Sequence, residues 1–136
     1  MKQTNEVSKL AGISRRTLQY YDDEGVLLTK RSEHNYRIYD EEDLEKIWRL
    51  MIYKELGFDL KEIKELLTMS ETLHTAWLQK QLDKYENNLQ KIKEKMNFIL
   101  LILDRGMPQL PSYEDGHTYK DCIVKLVEQD CTNCKL

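Results

Sequence analysis

Length, composition and charge limit the kinds of protein that this chain can be. It has 136 residues, enough for one domain or for one small domain with an appendage, and 33% of them are charged. The longest continuous apolar stretch, residues 98–103, is too short to cross a bilayer, and no charged-then-apolar leader is apparent. We therefore expect a cytoplasmic protein with no membrane contact, although the net charge of -3 does not by itself favour a nucleic-acid partner.

The charge is unevenly distributed along the chain. Residues 1–21 contain four basic side chains against one acidic, and residues 25–39 contain three against one. Residues 40–45, in contrast, contain five acidic side chains and none that is basic. Because nucleic-acid binding depends on local clusters of basic residues more than on total charge, the first forty residues are the place to look for DNA contacts.

Two short helices are predicted on either side of a glycine turn. Thr4–Ala11 forms the first, Gly12 ends it in a left-handed conformation, and Ser14 caps a second helix that ends at Gly25. This is a helix-turn-helix pattern. Arg15 and Arg16 fall in the first turn of the second helix, where the partial positive charge makes each cation cost about 0.3–1 kcal/mol unless an anion answers it. A DNA phosphate is such an anion.

A basic hairpin follows the second helix. Residues 26–28 are predicted as its first strand and residues 36–39 as its second, with Asn35 able to adopt a left-handed turn conformation between them. Any one of the arginines could be an ordinary surface residue, but their grouping on two adjacent elements favours a winged helix-turn-helix that binds DNA. The predicted DNA contacts are Ser14, Arg15, Arg16, Thr17, Tyr20, Lys30, Arg31, His34, Tyr36 and Arg37.

Three of these aromatic and imidazole side chains have an alternative role. Tyr20 and Tyr21 are adjacent, so they cannot face the same way, and we assign Tyr21 to the core because it continues the face of Leu18. Tyr20 then faces DNA. Tyr36 could instead pack within the wing, and His34 could be solvated at its tip.

Two further helices complete the N-terminal part. Asp40 caps the third, whose predicted apolar stripe comprises Leu44, Ile47, Trp48 and Met51. Asp59 and Glu62 form a capping box for the fourth. The predicted inward face of the fourth helix comprises Leu60, Ile63, Leu66 and Leu67.

A long helix with a heptad pattern follows, ending before Gly106. Its apolar residues alternate steps of three and four without interruption by glycine or proline, which predicts a coiled coil. Such a narrow stripe needs a partner, most simply the same helix of a second subunit. The predicted dimerisation residues are Leu78, Leu82, Tyr85, Leu89, Ile92, Met96, Ile99 and Leu103.

The C-terminal segment carries the cysteines, and residues 119–128 are predicted to form a last short helix. Cys122, Cys131 and Cys134, with His117, could hold zinc or act as a redox switch, but a lone C-x-x-C at a chain end is a weak signal and we predict no metal site. An effector pocket is a further hypothesis, the alternative being ordinary core packing; its aromatic residues would be Trp48, Trp77, Tyr113 and Tyr119. No catalytic constellation is present, so we predict neither enzymatic activity nor a cofactor.

Four motifs stand out along the chain. Residues 6–22 read EVSKLAGISRRTLQYYD, residues 36–39 read YRIY, residues 42–44 read EDL and residues 55–63 read ELGFDLKEI. Together they resemble the motifs of the MerR family of transcriptional regulators. The resemblance covers residues 4–69, about half of the chain. Two departures are visible: Asn35 stands where the family usually has glycine, and the cysteines of metal-sensing members are missing from residues 69–77 and 107–116.

The resemblance implies a mainly α fold in three parts: an N-terminal winged helix-turn-helix with a small β-wing (1–70), a long antiparallel coiled-coil dimerisation helix (71–105) and a short C-terminal segment (106–136). It implies a homodimer that binds a palindromic promoter operator in double-stranded DNA and distorts it for RNA polymerase in response to an effector. The alternatives are a coiled-coil protein-interaction module and a metal- or thiol-responsive sensor that uses the C-terminal cysteines.

Overall fold

The computed structural model describes residues 1–112, 116 and 118–133, with only the backbone of residues 129–133. The chain forms two compact units, Met1–His74 and Thr75–Leu136. Along the chain the elements are β1 (Lys2–Gln3), α1 (Thr4–Ala11), α2 (Arg15–Asp23), β2 (Lys30–Arg31), β3 (Arg37–Tyr39), α3 (Glu41–Glu55), α4 (Leu60–Leu66), α5 (Glu71–Arg105) and α6 (Tyr119–Asn133).

The helix-turn-helix is confirmed at α1 and α2. Gly12 ends α1 with φ 74°, a left-handed conformation that suits glycine, and its N–H donates to the Ser8 carbonyl. Ser14 caps α2, because its Oγ accepts the Thr17 N–H at 3.0 Å. The turn and both helices therefore form as the local sequence predicts.

The wing is a three-stranded antiparallel sheet in the order β1-β3-β2. The prediction of its first strand at residues 26–28 is wrong, because the N–H groups of Val26 and Leu27 both donate to the Tyr21 carbonyl, at 2.9 and 3.1 Å. These two buried side chains close the end of α2, and β2 begins later, at Lys30. Strand β1 was not predicted from the sequence; its two residues pair with Ile38 and Tyr39 of β3.

The core of the first unit lies between α1, α2, β3, α3 and α4. Both predicted helix caps are confirmed: Asp40 and Asp59 each accept the N–H of the residue three positions on, at 2.8 Å. The predicted apolar stripe of α3 is confirmed at Ile47, which is buried, and wrong at Trp48, which is 66% exposed. Leu50, which was not predicted, is fully buried instead. The largest fully buried side chains are Tyr39, Leu18, Leu27, Leu50, Ile63, Leu66 and Val7.

The long helix α5 runs for 35 residues and carries the predicted heptad seam. Leu78 is half-buried, and the other seven seam residues are between 47% and 76% exposed. The described part of the chain therefore leaves the seam largely uncovered. None of the described helices is both long enough and apolar enough to span a membrane.

The second unit ends in α6, which extends past the predicted residues 119–128. Thr118 and Asp121 cap its start reciprocally, with the Asp121 N–H donating to Thr118 Oγ1 at 3.1 Å. Asn97 of α5 is 4% exposed, and its side-chain oxygen has no hydrogen-bond partner among the described residues. Cys122 is a half-buried free thiol, whereas the side chain of Cys131, and His117 and Cys134 altogether, lie outside the described part.

Candidate nucleic-acid interface

Two arginines lie at the start of α2, where a helix carries partial positive charge. Arg15 and Arg16 are both exposed, and the first turn of α2 contains no acidic residue. Within the described residues neither arginine forms an ion pair. The helix N-terminus repels cations, so this end of α2 is an electrostatically unfavourable arrangement that an external anion would relieve.

The two adjacent tyrosines of α2 face different ways, as predicted from their spacing. Tyr21 is 2% exposed and belongs to the core, whereas Tyr20 is 51% exposed, with the two ring centroids 6.3 Å apart. Thr17 is half-buried, and its hydroxyl lies 2.8 Å from the hydroxyl of the capping Ser14. The outward face of α2 therefore presents a phenol ring beside its N-terminal arginines.

The tip of the wing is a tight turn between β2 and β3. The Asn35 N–H donates to the Ser32 carbonyl at 2.9 Å, the Ser32 N–H donates to the Tyr36 carbonyl at 2.8 Å, and Asn35 has φ 64°. Arg31 Nη1 donates to the Asn35 carbonyl at 3.2 Å. His34 and Tyr36 are both exposed, Tyr36 by 61%, so the turn presents them to solvent.

Arg37, which the sequence predicts as a DNA contact, is paired within the chain. Its Nε donates to Asp22 Oδ2 at 2.9 Å, and both side chains are less than 20% exposed. The same carboxylate accepts the Thr29 hydroxyl at 3.1 Å. Partial burial raises the pKa of Asp22, but the hydrogen bonds from Arg37 and Thr29 outweigh it and hold the pKa below its ordinary value. Arg37 thus ties the wing to the end of α2.

Lys30 is also paired within the chain. Its ammonium lies 3.0 Å from Asp40 Oδ2, at the cap of α3. The backbone N–H of Asp43 and the Lys30 ammonium together lower the pKa of Asp40 to about 2. The Asp40 hydrogen bond in turn raises the pKa of Lys30. Lys30 remains largely exposed, so it can still bind an anion. Because Asp40 already neutralises part of its charge, its attraction for a phosphate is weaker than that of Arg15 or Arg16.

Two lysines that were not predicted as DNA contacts lie near Tyr20. Lys61 and Lys64, on α4, line a cavity of about 500 Å³ together with Tyr20 of α2 and the acidic residues Glu24 and Asp59. Lys64 Nζ lies 3.2 Å from the position that a Cβ would take at Gly25, the second residue after α2. Neither lysine has an ion-pair partner among the described residues. Because the two lysines are three residues apart on a helix, the sequence alone could have placed them on the same face.

The effector-pocket hypothesis is only partly reflected in the geometry. Tyr119 lines a cleft in the C-terminal unit, whereas Trp77 is not among the residues that line it. Trp48 belongs to the first unit and is exposed, and Tyr113 lies outside the described residues. The described residues contain no group of three or more His, Cys, Asp or Glu side chains placed to hold a metal ion.

A winged helix-turn-helix with an uncompensated basic helix start, followed by a long helix with an exposed seam, defines a class of DNA-binding transcriptional regulators. The comparison with family profiles agrees: the profile described as the MerR HTH family regulatory protein matches residues 3–70. The chain belongs to the MerR family of transcriptional regulators.

Known relatives support the same assignment. The HTH-type transcriptional activator Mta of Bacillus subtilis (strain 168) is 34% identical over 117 residues, which are 85% of this chain and 43% of Mta. This chain therefore spans less than half the length of that relative. The crystal structure of MtaN, the N-terminal part of the Bacillus subtilis multidrug transporter activator, superposes with a TM-score of 0.61 at 34% identity, over 77% of this chain and 96% of that one.

A second structure supports the fold alone. HiNmlR, a MerR family regulator lacking the sensor domain and bound to promoter DNA, matches with a TM-score of 0.50 at 24% identity. The match covers 76% of this chain and 94% of HiNmlR. The helix-turn-helix, wing and long helix are thus the shared architecture.

Proposed function

We propose that this regulator acts in the cytoplasm as a homodimer, binds a palindromic promoter operator and distorts the DNA for RNA polymerase when an effector binds. The observation that carries the DNA-binding part is the pair Arg15 and Arg16, exposed at the N-terminus of α2 with no ion-pair partner among the described residues. Phosphate groups relieve that charge and also meet the free N–H groups of the helix start. HiNmlR, which shares the fold, was crystallised on promoter DNA.

The other predicted DNA-contact residues have different roles in this proposal. Tyr20, His34 and Tyr36 offer exposed donors that can reach phosphates, and Arg31 and Lys30 add charge along the wing. Ser14 and Thr17 order the start of α2. Arg37 acts as a positioning residue, because its ion pair with Asp22 fixes the wing against α2.

The dimer in this proposal forms along the α5 seam. In an antiparallel pair with a two-fold axis, Leu89 meets Ile92 of the partner and Tyr85 meets Met96 of the partner. Leu82 then meets Ile99, and Leu78 meets Leu103, so every seam residue finds an apolar partner in one register. The exposure of the seam in a single chain supports this pairing.

The proposed mechanism depends on the two winged helix-turn-helix units that the dimer joins. Each subunit presents a helix and a wing to one half of the operator, and the phosphate contacts of the two halves offset the energy needed to bend or untwist the DNA between them. A rearrangement of the dimer by an effector changes the spacing of the two modules and hence the favoured DNA shape.

DNA selected from a random duplex pool provides the test. Arg16→Ala should weaken binding to the selected sequence at least about ten-fold and reduce the salt dependence, because a phosphate contact releases counterions. Arg105→Ala, an exposed arginine at the end of α5, is the matched control and should bind as wild type. Wild-type affinity for Arg15→Ala and Arg16→Ala alike would show that this surface does not bind DNA.

A further inference from the structure

The C-terminal unit contains a cleft of about 800 Å³ between the end of α5, the loop after it and α6. Its volume falls within the range of small-molecule sites in proteins. Most of its lining is apolar, from Phe98, Met107, Leu110, Tyr119, Ile123 and Leu126. The cleft lies wholly within Thr75–Leu136, and the DNA-binding surface described above does not use it.

Several of the apolar side chains that line the cleft are unusually exposed. Leu110 and Met107 are more than 70% exposed, and Ile123 is 55% exposed. Apolar surface left in water costs about 25 cal/mol per Å² relative to burial. An occupant with an apolar body would recover that free energy.

The charge of the residues that line the cleft indicates which charge a ligand should carry. Lys125 is the single ionised side chain among the described residues of the cleft, and it forms no ion pair with any described residue. A lysine beside an apolar surface lays its methylene stem along that surface and keeps its ammonium at the edge. A cationic ligand would meet like charge here, whereas an anionic head group would find a partner.

We propose that this cleft binds an amphiphilic organic anion, with its aromatic or branched apolar body between α5 and α6 and its single acid group at Lys125. The regulatory meaning of this site rests on the function proposed above, in which the ligand is the effector. The binding itself does not, because it requires neither DNA nor a second protein.

Two fluorescent probes with the same ring system separate the two halves of the proposal. 1-Anilinonaphthalene-8-sulfonate carries an acid group, and N-phenyl-1-naphthylamine is the same molecule without it. In titrations of the full chain without DNA, Lys125→Gln should weaken the sulfonate about five-fold, as for an exposed ion pair. The neutral probe should change by less than about two-fold, and Lys120→Gln, on the same helix outside the lining, should change neither.

A second variant pair locates the binding to the cleft. Leu110 is so exposed that polar replacements leave the fold intact, which circular dichroism checks. Leu110→Glu should weaken the sulfonate at least about five-fold relative to Leu110→Gln, because it places a negative charge in the lining of the same cleft as the acid group. The neutral probe should distinguish these two variants by less than about two-fold.

Each contrary result overturns a defined part of the proposal. Equal effects of Lys125→Gln and Lys120→Gln on the sulfonate would overturn the role of the acid group. No effect of any variant on either probe would show that the probes bind elsewhere. If no probe binds and Leu110→Glu instead changes the sedimentation coefficient, the cleft is a contact between copies of this chain. If the wild-type protein binds no duplex DNA from the random pool, the proposed function is overturned, but the result for the cleft is unaffected.

Discussion

The two units of this chain bury their apolar side chains to very different extents. All twelve buried apolar residues among those described lie in Met1–His74, from Val7 to Leu66. In Thr75–Leu136 the one described side chain buried to the same degree is the amide of Asn97. A unit that buries its own apolar surface can fold by itself, whereas one that leaves this surface exposed depends on something else for its stability. The first unit is therefore a self-contained module, and the second is suited to a partner or a ligand.

The largest effect is expected from a charge in the middle of the exposed seam. Leu89→Glu should weaken dimerisation at least about 100-fold, because an unpaired charge buried at an interface costs several kcal/mol. Sedimentation velocity should then show a monomer that no longer binds operator, with the first unit still folded. Lys91→Glu, which lies off the seam on the same helix, is the control. A compact dimer of Leu89→Glu would show that the seam packs within one chain.

Truncation in the core of the first unit should have the next largest effect. Leu50 is fully buried on α3, so Leu50→Ala should lower the free energy of unfolding of that unit by about 2–5 kcal/mol. Trp48→Ala, on the same helix and 66% exposed, should change it by less than about 1 kcal/mol. Urea denaturation followed by circular dichroism measures both. Similar losses for the two variants would mean that α3 presents a different face to the core.

The ion pair between Arg37 of the wing and Asp22 of α2 is a polar contact within the first unit, and its loss should have a smaller effect. Arg37→Ala leaves the half-buried Asp22 carboxylate without its main donor and should cost about 1–3 kcal/mol. Arg37→Ala together with Asp22→Asn should recover part of that loss in a double-mutant cycle. Strict additivity of the two substitutions would contradict the coupling. Arg16→Ala, in contrast, should leave the free energy of unfolding within about 0.5 kcal/mol.

The smallest effect concerns pH. The pKa of Asp40 is lowered in the folded chain to about 2 from an ordinary value near 3.8, so its ionised form contributes stability above that ordinary value. The contribution should disappear progressively as the pH falls from about 4 towards 2. Asp40→Asn should flatten this part of the acid-unfolding profile, and Glu41→Gln, the exposed neighbour, should not. An unchanged profile for Asp40→Asn would place the sensitivity elsewhere, for example at Asp22.

Local signals in the sequence predicted the elements that have local causes. The caps at Ser14, Asp40 and Asp59 and the left-handed Gly12 each depend on a few neighbouring residues, and all four form as expected. The seam of α5 was also visible, because its period repeats over many turns.

The errors arise where tertiary contacts decide. The apolar residues Val26 and Leu27 have the composition of a strand, yet they lie buried in the core just after α2, with their N–H groups bonded to the Tyr21 carbonyl. Trp48 is apolar at a helical spacing, but the position of the neighbouring helices turns it to solvent. The pairing of Arg37 with Asp22 spans fifteen positions, and no periodic pattern reveals such a contact.

The backbone at Asn35 has a consequence for how the wing tolerates sequence change. Its φ of 64° is open to glycine and to asparagine but strains a β-branched side chain. Glycine would relieve the folded turn while adding conformational entropy to the unfolded chain, and the two effects oppose each other. Saturation mutagenesis at position 35 should therefore yield a narrow set of accepted residues (Asn, Gly and Asp), with Val and Ile selected against. The wing tip can thus exchange asparagine for glycine over evolution with almost no change in net stability.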